Sequence, residues 1–158
     1  MATEETLAKV NRFLAEAGWH PGRDEANRVF ELAEFVVSDL ADHGCEVSLF
    51  PAAESFLRSY GFLDVEFPYD EGRTEHFNTC ARFCEDEAEE ITELSEELQQ
   101  PLFPVAWDKI EGGLAVIAPS GRMFYIHHTG FYYMGVGIQE AIATLYAGSL
   151  QPAEEYFV

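Results

Sequence analysis

The stretch "VAWDKIEGGLAVIAPSGRMFYIHHTGFYYMG", residues 105–135, decides the fold. Four segments in it, 105–110, 114–119, 122–128 and 130–135, are rich in apolar and aromatic residues and read as sheet segments. "EGG" at 111–113 and "PSG" at 119–121 are turn signals between the first three. Helical patterns precede this block and one follows it. An order of helices, then mainly adjacent strands, then a helix favours an α+β domain with an antiparallel sheet over an alternating doubly wound fold.

Working outward, Leu7, Val10, Leu14 and Ala17 recur at helical spacing over 3–17, and Gly18 suits the left-handed position past the helix end. Asp24 is the N-cap candidate for a second helix, with Glu25 favouring its first turn. Val29, Ala33, Val36, Val37 and Leu40 share that helix's apolar face, and Gly44 stops it. A short strand is expected over 45–49. Pro51 suits the first position of a third helix with the stripe Ala53, Phe56, Leu57 and Tyr60, ended by Gly61. "LDVEF" (63–67) alternates as a half-buried strand, "PYDEGR" turns with Gly72 at a positive backbone angle, and "TEHFNTC" (74–80) returns. Residues 85–99 form a strongly acidic helix whose buried edge is Ala88, Ile91, Leu94 (or Ser95) and Leu98. Pro101 and Pro104 then force an extended connection. Ile138, Ala141, Ile142, Leu145 and Tyr146 mark the last helix, closed by Gly148, and the tail after it either frays or docks.

The 158 residues fit one domain over 1–150 with a tail over 151–158. The expected architecture is a twisted, mainly antiparallel sheet with helices packed on one side. Nine Lys and Arg face 29 Asp and Glu, a formal net charge of −20. Such a chain repels phosphate backbones, which argues against nucleic acid as a partner, and attracts basic proteins. The plain alternative is simple solubility. No stretch approaches the ~20 apolar residues of a membrane span, so no membrane partner is expected. The first twenty residues lack a basic region followed by an apolar run. Cys45, Cys80 and Cys84 cannot all pair, and reduced thiols in the cytoplasm are expected.

Chemistry-bearing patterns are sparse. His76, Cys80 and Cys84 are spaced by four, which aligns on a helix, but His76 falls on an expected strand where the alignment fails. The zinc-deaminase pattern, a Gly-x-Ser-x-Gly elbow and a Walker loop are absent from the sequence. His127 and His128, adjacent on an expected strand, should point to opposite faces. Phe124, Tyr125, Phe131, Tyr132 and Tyr133 read as sheet core. No catalytic residue, metal or cofactor is expected. The turn "GWHPGR" has two readings: a corner in which Trp19 packs between the first two helices and Arg23 pairs with an acid or a carbonyl, or an aromatic and arginine hot spot. The corner is preferred.

"AGWHPGR" (17–23) with the helix after it, "FPAAESFLRSYGFLDVEF" (50–67), "PLFPVAWDKIEGGLAVIAPSGRMFYIHHTG" (101–130) and "IQEAIATLYAG" (138–148) together resemble the SUKH superfamily of bacterial immunity proteins, and most of all the third SUKH family. The resemblance spans about residues 14–148. Its most specific piece is Gly18, Trp19, Pro21, Gly22 and Arg23; Phe56, Leu57, Tyr60 and Gly61, and the pair Gly121-Arg122, are weaker. Phe62 stands where members tend to carry a second glycine, and Pro104-Val105-Ala106 where they tend to show Pro-Leu-Gly. The resemblance implies a cytosolic protein, not an enzyme, that binds and neutralises a cognate toxin of a polymorphic toxin system, such as a nuclease or deaminase. The candidate partner-facing acids are Glu85, Asp86, Glu89, Glu90, Glu93 and Glu97, and secondly Asp64, Glu66, Asp70 and Glu71; the plain alternative for the acidic helix is a solvated face. The rival function is an acidic scaffold or regulator without a toxin, and a third is a zinc enzyme using His76 with Cys80 or Cys84.

Overall fold

A computed structural model describes residues 2–158. Its elements run α1 (Glu4–Glu16), α2 (Ala26–Asp42), α3 (Pro51–Tyr60), β1 (Asp64–Pro68), β2 (Thr74–Asn78), α4 (Ala88–Leu98), β3 (Phe103–Asp108), β4 (Leu114–Ile117), β5 (Arg122–His127), β6 (Gly130–Val136), α5 (Gly137–Ala147) and β7 (Gln151–Pro152). The seven strands lie in chain order in one sheet, each antiparallel to its neighbour. Short turns suffice for most of these steps, because antiparallel neighbours need no crossover. The two longer connections carry α4 and α5. The α+β domain with an antiparallel sheet expected from the sequence is therefore the observed one.

Strand register divides the side chains. Val65 pairs with Phe77 and shares a face with Phe67. On that face Phe67 meets Phe13 of α1 and Tyr146 of α5, each at 6.1 Å between ring centroids. Helix α5 packs on β6 and against both α1 and α3. The opposite face is open over β1, where Asp64 and Glu66 are exposed. Over the middle of the sheet it is closed, because all four residues of β4 are buried. Tyr156, in the 3-10 turn Ala153–Tyr156, packs there against Phe124 at 6.0 Å and Tyr133 at 4.3 Å. The tail docks. Strand β4 is accordingly a continuous apolar run, as a strand covered on both faces must be.

The "GWHPGR" corner is pinned to α3. Trp19 stacks on Tyr60, centroids 5.4 Å apart at 16°, and Arg23 Nη1 donates to the Ser59 carbonyl at 3.0 Å. Arg23 also pairs with Glu25 at 3.1 Å, and the Glu25 N–H donates to the Arg58 carbonyl at 2.8 Å. The expected placing of Trp19 between α1 and α2 is corrected: the flat partner its ring finds is Tyr60, at the end of α3. Gln139 of α5 donates to the Tyr60 hydroxyl at 3.0 Å, so one tyrosine joins α3, α5 and the Trp19 corner.

Three further expectations change. Residues 45–49 form no strand: the Cys45 N–H turns back to the Leu40 carbonyl at 2.9 Å, and the segment has no pairing partner. Its alternation reflects burial of Cys45, Val47 and Leu49 against the core. Asp24 lies one residue outside the cap position; it accepts from the Ala26 N–H at 3.0 Å and binds Arg58 at 2.8 Å. The acidic helix is divided, a 3-10 turn over Glu85–Glu87 preceding α4. The buried edge is Ala88, Ile91, Leu94 and Leu98, as its spacing predicts.

The joint between α3 and β1 explains one glycine. A Cβ on Gly61 would stand 2.5 Å from the Leu57 carbonyl oxygen. The next residue, Phe62, takes φ +64°, the left-handed region where a glycine would be unstrained. Buried Thr79 fixes this backbone by accepting from the Phe62 N–H at 3.1 Å through its carbonyl and from the Leu63 N–H at 2.8 Å through its hydroxyl. The Phe62 ring carries the Arg28 guanidinium at 4.0 Å. Gly61→Ala is predicted to lower stability by about 1–3 kcal/mol, read from the urea midpoint, since backbone must move to admit the methyl group.

Candidate protein-binding surface

Eight carboxylates, Glu85, Asp86, Glu87, Glu89, Glu90, Glu93, Glu96 and Glu97, stand within thirteen residues that contain no Lys or Arg. Helix α4 forms because Ile91, Leu94 and Leu98 bury one edge, which turns the acids outward. Asp86, Glu89, Glu93, Glu96 and Glu97 are exposed, and Glu85, Glu87 and Glu90 are partly covered. No ion pair reaches any of them among the described residues. Partial burial and the neighbours Asp86, Glu90 and Glu85 raise the Glu87 carboxyl above its ordinary range. The band is uncompensated charge.

The first-hairpin acids differ. Asp70 pairs with Arg73, and Glu71 sits exposed at the turn with φ 51°. Asp64 and Glu66 project from the open face of β1 and flank His76 of β2, at 2.8 Å and 3.6 Å from its two ring nitrogens. The donor atoms of these three lie within 4.8 Å of one another and are the set that could hold a divalent ion. A cross-strand hydrogen bond accounts for the same geometry without one. The set His76, Cys80 and Cys84 is not assembled, since Cys84 is buried with its Sγ donating to the Ala81 carbonyl at 3.3 Å. Burial, and then the acids nearby, push its thiol up to about 12.

A second polar cluster lies at one end of the sheet, and the sequence reading did not find it. Glu75, 1% exposed, accepts from the N–H groups of His76, Lys109 and Ile110 at 2.8–3.0 Å and from Glu111 at 3.3 Å. This carboxylate thus holds the β3–β4 turn. Asp108, also 1% exposed, accepts from the Tyr125 hydroxyl at 2.7 Å and the Gly113 N–H at 2.7 Å. His127 bonds to Thr129 and the Glu111 carbonyl, and Tyr69 donates to Glu111 at 2.6 Å. His127 and His128 do not point to opposite faces. Strand β5 ends at His127, the chain turns, and the rings lie 4.0 Å apart. The cluster's polar groups are spent on one another and on backbone, the pattern of a scaffold.

Asp108 gives this end a pH response. Burial raises its carboxyl from 3.8 to about 6, against the opposing bonds from Tyr125 and Gly113. Between those values the folded state holds a proton that the unfolded chain has released, so stability falls as pH rises through that window. Asp108→Asn keeps the acceptor and removes the titration. Urea unfolding should show wild type gaining on this variant between pH 7.5 and pH 4, by at most about 3 kcal/mol.

Among the described residues no helix is long and apolar enough to cross a membrane. No curated protein and no solved structure gives a match to the chain. The family described as SUKH-3 immunity protein matches residues 7–148. That span holds the Trp19 corner, the α3–β1 joint, the acidic band and the strands β1 to β6. The chain therefore belongs to the SUKH-3 immunity protein family.

Proposed function

We propose that the protein binds a cognate toxin domain of a bacterial polymorphic toxin system in the cytoplasm and neutralises it by stoichiometric contact, without catalysis. The observation that carries this reading is the band over 85–97 on a member of an immunity family: eight acids, no cation in the segment and no ion pair to it among the described residues. A toxin acting on nucleic acid needs a cationic groove for phosphate, and a carboxylate array fits such a groove. Long-range attraction of this kind raises association rates by roughly 10–1000-fold at low salt and discriminates between partners. Asp64, Glu66 and Glu71 add to the same field; Asp70 adds less because Arg73 neutralises it. An interface of about 1,200–2,000 Å² in total is expected.

Glu89, Glu93 and Glu97 are exposed and four residues apart on one side of α4, so their reversal leaves the buried edge intact. The triple variant Glu89→Lys, Glu93→Lys, Glu97→Lys should associate with an inactivated candidate toxin domain at least roughly 10-fold more slowly than wild type in low salt. Stopped-flow kinetics against salt measures this. An on-rate equal to wild type rejects steering by this helix. Co-expression of the active toxin domain with wild type should restore growth, and failure to do so rejects the immunity reading.

A further inference from the structure

The acidic band borders an aromatic patch that charge steering leaves unused. Phe83 is 73% exposed and Trp107 39% exposed. A groove of about 200 Å³ separates them, lined also by Ala81, Glu87 and Leu114. Neither ring is loose. Phe83 sits edge-on to Phe35 of α2, centroids 5.5 Å apart at 84°, and the Trp107 indole N–H donates to the Cys80 carbonyl at 3.2 Å. Anchors fixed before contact lose little side-chain entropy on binding.

The rim supplies the partner's chemistry. Glu85, Asp86 and Glu87 follow Phe83 after a single residue, Cys84. Phe35 itself lines a second groove, together with Glu31, Glu34, Asp39, Asp42 and Arg82. The exposed acids Glu31, Glu34, Asp42 and Asp86 are acceptors that a lysine or arginine of a partner can reach. An apolar centre with a charged rim is the anatomy of a protein interface, and energy there concentrates in aromatic anchors.

We infer that Phe83 and Trp107 are the anchor of the toxin complex, taking an apolar side chain of the toxin into the groove between them and its basic side chains onto the rim. The inference rests on the immunity reading and names the surface that serves it. A second copy of this chain is the wrong occupant, since each copy carries −20. The α4 acids then govern how fast the complex forms and the aromatic patch how long it lasts.

The test uses full-length protein and the same inactivated toxin domain, immobilised for dissociation measurements. Phe83→Ala and Phe83→Lys should dissociate at least roughly 30-fold faster than wild type, with thermal melts shifted only slightly, because the mostly exposed ring gives up its edge contact with Phe35. Phe30→Ala, a control at the exposed Phe30 of α2, should dissociate as wild type does. If wild type binds tightly and Phe83→Ala, Phe83→Lys and Trp107→Ala all dissociate at its rate, the anchor is refuted and the immunity reading stands. If wild type neither binds the toxin domain nor protects cells from it, both fall. Light scattering that shows wild type dimeric and Phe83→Ala monomeric, with toxin binding unaltered, assigns the patch to self-association and overturns the inference.

Discussion

A chain with 29 carboxylates and nine cations must choose where its cations go. Here three arginines, Arg23, Arg28 and Arg58, gather at the corner between α1, α2 and α3, paired with Glu25, Asp24 and Glu54. That is where helices must approach closely and where unscreened acids would repel most. The same corner carries the Trp19–Tyr60 stack and the Tyr60–Gln139 bond, so attraction and packing act on one joint. Arg58, held by Asp24 first and Glu54 second, stays protonated far beyond any physiological pH. The concentration of cations at this joint leaves the band over 85–97 bare.

The two buried carboxylates follow a different rule. Glu75 and Asp108 are inside the molecule without a cation, and backbone N–H groups or a tyrosine hydroxyl stabilise them instead. An acid can be buried if enough donors converge on it, and a strand followed by a tight turn presents several donors at once. The chain thereby keeps its scarce positive charge for helix packing and uses main-chain dipoles in the sheet. The carboxylates over 85–97 receive no cation among the described residues, and their self-repulsion destabilises the compact state.

Much of this was legible locally. Pro51 at the start of α3, Gly72 at positive φ, the turns "EGG" and "PSG" and the buried edge of α4 each depend on residues within a few positions of one another. The departure of Phe62 from glycine was legible too, but its consequence was not: the strain at φ +64° is held by Thr79, seventeen positions on. Residues 45–49 alternate like a strand and bury like one, yet sequence cannot say that no neighbour offers a ladder. The same limit applies to Asp64, Glu66 and His76, which share a face only because β1 and β2 pair in one register.

The sequence by itself determined most of the elements, the antiparallel character of the sheet and the excess of charge, since periodicity, turn chemistry and composition act over short range. Tertiary structure alone decided that Trp19 meets Tyr60, that Glu75 caps a turn 34 to 36 residues away, and that Phe83 and Trp107 face a common groove beside the acids. Those pairings depend on how separately formed elements settle against one another, and packing of that kind leaves no periodic trace in the chain.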